Sequence, residues 1–146
     1  MSRRWSLFAI AALLFAGGFV ASAMPAPQTP PPANPNGWIL PPQADQEKNP
    51  FAGDAKAVEA GRELFKKTCQ KCHGPGGKGD GPDADPDSMQ DMDLTVARRA
   101  NRNPDGVVFY KVWNGRKKPK MPALKDELTK DQIWQIVAFV QTLRGT

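Results

Sequence analysis

At 146 residues, the chain is long enough for one domain. Its formal charge of +5 includes Arg3 and Arg4 of a leader-like segment; 20 bases less those two leave 18 against 15 acids, a net +3, too weak an excess to argue for nucleic acid. The charge is segregated instead: six aspartates and no base lie between Asp80 and Asp93, and eight bases with one acid, Asp105, lie between Arg98 and Lys120.

The chain opens MSRRWSLFAIAALLFAGGFVASA. Two arginines, an apolar run from Trp5 to Val20 and Ala21-Ser22-Ala23 form the three regions of a secretory signal, so residues 1–23 are expected to be cleaved after Ala23 and the mature chain exported, to a periplasm or otherwise outside the cytoplasm. The rival is an uncleaved membrane anchor. A span needs roughly 20 apolar residues, a length this run reaches only by counting Gly17, Gly18 and Ser22. Residues 24–54 follow as a proline-rich extension; nine of the fifteen prolines fall within residues 24–50, and no independent fold is expected there. Its exception is Trp38-Ile39-Leu40, and Trp38 is expected to lie back on the domain, because contiguous exposed apolar patches are uncommon.

From Ala55 the pattern is helical. In AKAVEAGRELFKKT, Val58, Gly61, Leu64 and Phe65 recur at helical spacing. Gly61 costs such a helix about 1 kcal/mol relative to alanine, which points to close approach by another helix. After CQKCH comes GPGGKGDGP, residues 74–82. A phosphate-binding loop would need Ser or Thr after Gly-Lys; here Lys78 meets Gly79 and Asp80, so that reading is rejected, and the glycines are expected to let backbone approach a flat partner. Asn103-Pro104 reads as a helix start, and Asn114-Gly115 as its stop. The last helix starts at Thr129, with Gln132 completing a capping box, and Ile133, Trp134, Ile136, Val137, Phe139, Val140 and Leu143 predict that it is largely buried. No strand of any length is expected.

Both cysteines and the sole histidine lie within residues 69–73, CQKCH. A disulfide between Cys69 and Cys72 would close a very small ring and leave His73 unexplained. Structural zinc needs four ligands, and three of the right type are present. A thioredoxin-like pair would follow a strand. The remaining reading is c-type haem attachment: Cys69 and Cys72, one helical turn apart, each join a vinyl group, and His73 presents its imidazole to the iron. A haem would also relieve the marginal core of the 92 residues from 55 to 146. No second histidine can serve as sixth ligand. Met121, held between Pro119 and Pro122 in a stiff loop, is the candidate, whereas Met89 and Met92 read as loop or rim packing and Met24 lies in the extension.

Residues 55–146 resemble a class I, monohaem cytochrome c of the bacterial periplasmic type. The resemblance is carried by Gly61 and Phe65, Cys69/Cys72/His73, Gly81-Pro82, Asn114-Gly115, Met121-Pro122 and Phe139. It implies an all-α cytochrome c fold, with three to five helices around one covalent haem and the first and last helices crossing at the glycine and the aromatic. It further implies that Pro82 offers its carbonyl to the His73 imidazole; Trp113 and Arg116 are the candidates for holding the haem propionates.

The function this implies is one-electron transfer, with iron ligated by His73 and Met121 and no residue assigned a catalytic role. An alternative is a haem subunit serving as electron outlet of a periplasmic dehydrogenase or oxidase; a third is a sensor or peroxidase with Met121 unligated. The basic run near Met121 is expected to face an acidic patch on a redox partner of a monomeric carrier, with Asp83 and Asp85 uninvolved.

Overall fold

In the computed structural model, which describes residues 37–144, Asp54 opens the first helix, α1 (Ala55–Thr68). Its carboxylate accepts from the backbone N–H groups of Lys56 (2.8 Å) and Ala57 (3.2 Å), satisfying two of the groups that a helix start leaves without partners. Lys66 and Lys67 occupy the last turn, where cations suit the helix dipole. After Cys69 the chain continues as α2 (Gln70–His73), a 3-10 turn at Pro86–Ser88, α3 (Met89–Met92), α4 (Ala97–Ala100), α5 (Asp105–Asn114) and α6 (Lys130–Thr142). This is an all-α fold. Three of its helices have ten or more residues and three are single turns of four, so the total exceeds the expected three to five through turns too short to show a period.

Among the described residues there is no strand; one antiparallel bridge joins Arg116 to Met121. None of the described helices is long and apolar enough to cross a membrane. The expected leader lies outside the described residues, as does the first part of the proline-rich extension.

Helices α1 and α6 cross in contact. A Cβ added at Gly61 would sit 1.9 Å from the Gln135 carbonyl oxygen, so only a glycine lets the two backbones come this near. One turn on, the rings of Phe65 and Phe139 meet edge to face at 5.2 Å. The capping box of α6 forms as expected: Gln132 N–H donates to the Thr129 hydroxyl (3.2 Å), and Thr129 N–H to the Gln132 side chain (2.9 Å). Ile133, Ile136 and Val137 are essentially without solvent exposure. Helix α5 adds Val108, Phe109 and Val112 to this core, with Phe109 stacked on Trp134 at 4.2 Å.

Two sequence expectations change here. Helix α5 begins at Asp105, with Pro104 in the cap position and no side-chain cap; the Asn103 side chain donates instead to the Arg99 carbonyl (2.9 Å) and accepts from Lys111. The extension, expected to have no fold of its own, is packed from Trp38 onward. Trp38, Ala44 and Asn49 are buried. Asn49 Nδ2 donates to the Trp134 carbonyl at 2.9 Å, Gly106 N–H to the Glu47 carbonyl at 3.2 Å, and Asn114 Nδ2 to the Ile39 carbonyl at 2.7 Å. Ile39 itself points outward, 45% exposed.

Candidate haem cavity

The end of α1 and the single turn of α2 set out CQKCH. Cys69 N–H donates to the Phe65 carbonyl (2.8 Å), and the N–H groups of Cys72 (3.2 Å) and His73 (3.0 Å) both reach the Cys69 carbonyl. This winding brings both thiols and the imidazole to one cavity of about 1210 Å³. The thiols are not joined to each other. Burial pushes the Cys69 thiol up to about 11, with Cys72 adding to the effect and the Thr68 hydroxyl at 3.3 Å opposing it.

His73 Nδ1 lies 2.8 Å from the Met92 carbonyl oxygen. A carbonyl can only accept, so this contact assigns the proton to Nδ1 and leaves Nε2 with a free lone pair, the form a metal ligand requires. Burial lowers the His73 pKa and favours neutral imidazole, while the Met92 carbonyl opposes that shift. Pro82 does not fill the expected role. It is exposed and does not line the cavity, and the Nδ1 contact expected of its carbonyl is made by the Met92 carbonyl instead. The glycines of residues 74–81 also leave the cavity to other residues; they press on the chain itself, Gly79 on the Met89 carbonyl and Gly81 on the Lys71 carbonyl.

Met121 lines the same cavity as His73. Its loop is pinned by the paired bridge in which Arg116 N–H donates to the Met121 carbonyl (2.9 Å) and Met121 N–H to the Arg116 carbonyl (3.0 Å). The loop leaves α5 at Gly115, whose φ of +60° and close approach to the Met121 carbonyl both require glycine. Phe65, Val108, Val112, Leu124, Ile136 and Val140 supply apolar wall. Met92 also borders the cavity, and Met89 is among the exposed large hydrophobics.

Of the two expected propionate partners, Arg116 lines the cavity and Trp113 does not: Trp113 stacks on Phe109 at 5.6 Å, with Lys130 over its ring. Trp38, from the extension, lines the wall instead. Beside Arg116 stand Arg99, Arg102, Lys111 and Arg144, four bases that the sequence did not single out as cavity residues. Burial, then crowding by Arg116, Arg144 and Arg99, brings Lys111 down to about 8, with Asp91 opposing. Crowded cations beside an apolar cavity suit a flat apolar ring that carries carboxylates. Together with two thiols and a neutral imidazole on consecutive turns, they fit a haem. A zinc site finds no counterpart: among the described residues no group of three or more His, Cys, Asp or Glu is arranged to hold a metal ion.

The two charge blocks of the sequence also meet here. Asp83, Asp85, Asp91 and Asp93 line the same cavity as Lys118 and Lys120, and Asp91 pairs with Arg99 at 3.8 Å.

No curated protein matches the chain. Among solved structures, it is similar to cytochrome cL from the marine methylotrophic bacterium Methylophaga aminisulfidivorans, with 28% identity and a TM-score of 0.52 over 65% of this chain and 60% of that one. It is also similar to a chain of the reducing HAO-like protein complex of Kuenenia stuttgartiensis, with 25% identity and a TM-score of 0.52 over 65% of this chain and 47% of that one. This chain thus aligns with less than two thirds of either structure's length. The cytochrome c family model matches residues 58–144, which takes in CQKCH, the Met121 loop and the crossing of α1 with α6, and the chain belongs to the cytochrome c family.

Proposed function

We propose that this chain is an exported one-electron carrier with a single haem c, joined through Cys69 and Cys72 and ligated by His73 and Met121. The observation that carries the reading is that His73, with its Nε2 lone pair free, and Met121, on its pinned loop, border one cavity that has an apolar wall. When bound, the haem supplies reversible one-electron chemistry at iron. The chain's own residues then have defined tasks. The Met92 carbonyl holds the His73 ring and raises its basicity. The Arg116–Met121 bridge limits how far the thioether can move. The apolar wall excludes water, and Arg116, Lys111 and their neighbours offset carboxylate charge. A thioether from Met121, in place of a second nitrogen ligand, would raise the potential of the bound haem.

The test is spectroscopic. Met121→Ala should abolish the weak long-wavelength band of methionine-ligated ferric haem and lower the midpoint potential, while Met89→Ala and Met92→Ala leave the band in place; the Met92 variant keeps its backbone carbonyl. Loss of the band in Met92→Ala instead would move the ligand assignment to Met92.

A second reading is supported by the likeness to a chain of a multiprotein redox complex: the same domain would be held permanently by a catalytic partner as its electron outlet. Tagged full-length protein purified from its native extract separates the two readings. A stoichiometric catalytic chain favours the subunit, and elution as a lone monomer favours the carrier.

A further inference from the structure

The segment that leads into α1 does more than cover the core, because its tip contacts the loop that carries Met121. Trp38 is 9% exposed and lines the cavity. The Arg116 guanidinium carbon lies 4.5 Å from the centre of its ring, and the Lys111 ammonium 4.9 Å. Both distances are within the reach of a cation–π contact, which strengthens where the cation is shielded from water. Arg116 is half-buried and also holds the loop at three points. Its Nε donates to the Pro119 carbonyl (3.0 Å), and its backbone N–H and C=O form the two-bond bridge with Met121. Gly37 comes close to the Lys118 carbonyl, within 3.7 Å of an added Cβ, and Asn114 Nδ2 fixes the Ile39 carbonyl on the other side of Trp38. A continuous path of contacts therefore runs from Trp38 through Arg116 to the backbone of Met121.

We propose that Trp38 is a positioning residue for the sixth ligand: the N-terminal arm latches the Met121 loop through the stack of Trp38 on Arg116, so that seating the arm sets how firmly the thioether is presented to the iron. This rests on the reading of Met121 as axial ligand. If Arg116 loses its stacked partner, its guanidinium is free to follow solvent, the Pro119 and Met121 contacts lose a neighbour that restricts them, and the loop gains conformations that withdraw the sulfur. Bonds around a ligand that fix its orientation commonly matter to a metal site as much as the ligand's own identity.

Imidazole added to the ferric holoprotein competes with the thioether, so its apparent affinity reports how firmly the loop holds. Trp38→Leu and Trp38→Phe leave side chains of similar bulk; the first removes the aromatic face and the second keeps one. Trp38→Leu is expected to raise imidazole affinity about tenfold, which corresponds to about 1.4 kcal/mol, and to weaken the long-wavelength band. Trp38→Phe should restore most of the wild-type behaviour. Val137→Ala, in the fully buried face of α6, should lower the melting temperature and leave imidazole affinity unchanged, which separates latching from general loosening. Wild-type affinity in Trp38→Leu, or equal increases in the Leu and Phe variants, would overturn the latch. If Met121→Ala itself leaves both imidazole affinity and the band unchanged, the ligand reading fails, and the latch falls with it by a route distinct from the first.

Discussion

Tyr110 is the chain's single tyrosine, and its hydroxyl donates to the Glu47 carboxylate at 2.7 Å, joining α5 to the N-terminal arm. Burial, then the hydrogen bond to and charge of Glu47, push it up to about 12 from an ordinary 10. The raised value means that the folded protein keeps this proton where the unfolded chain would lose it. The contribution to stability is therefore fully present below about pH 10 and is lost as pH rises through about 12. Ultraviolet titration should place the tyrosinate midpoint near 12, and Tyr110→Phe should flatten the alkaline fall in stability; a midpoint near 10 would show that the arm is not seated in solution. Single residues differ in how far a sequence reveals them. Cys69, Cys72 and His73 stand out because their spacing is local, Met121 stands out because two prolines bracket it, and the structure places all four on one cavity. The Met92 carbonyl has no sequence signal, since every residue carries a carbonyl and only the fold chooses one. Trp38 and Trp113 are alike in composition and are separated only by which of them the chain path brings to the cavity.

Among the elements, a close neighbour for α1 is legible in Gly61 within an amphipathic period, whereas the identity of that neighbour as the last helix comes from the family resemblance. Gly61→Ala tests the crossing. In an open helix the change should stabilise by about 1 kcal/mol, but here the new methyl would lie 1.9 Å from the Gln135 carbonyl. The helices must move apart, and a net loss of about 1–3 kcal/mol, of the size that overpacking brings, should appear as a lower thermal midpoint. An unchanged or raised midpoint would show that the crossing is looser than described. The capping box of α6 was equally readable, since all of its groups lie within four residues. The start of α5 was not. Asn103 has the chemistry of a cap, but Arg99 and Lys111 engage its side chain, a competition between elements that local pattern does not record.

Across the whole molecule, the acidic block of residues 80–93 and the basic block of 98–120 are separate in sequence and meet at the cavity. The docking expectation changes accordingly. Lys117, Lys118 and Lys120 are exposed, and so are Asp83 and Asp85. With an acidic redox partner, electron transfer should slow as salt rises, most steeply as the Debye length falls below about 10 Å, because such charges act on encounter more than on final affinity. Reversing Lys117 and Lys118 should slow the reaction at low salt. Reversing Asp83 and Asp85, which the sequence alone placed apart from docking, should speed it. A stopped-flow rate that is flat with salt, or that rises with it, would sink an acidic partner. The arm carries a different lesson, about inheritance. What marks this chain as kin to other cytochromes c starts at residue 58. What walls its cavity and stitches its core includes Trp38 and the amide of Asn49 on the Trp134 carbonyl. The shared module and the working body are thus of different lengths, and the added stretch is built into the shared part, so a boundary drawn by kinship would cut through the molecule's own wall.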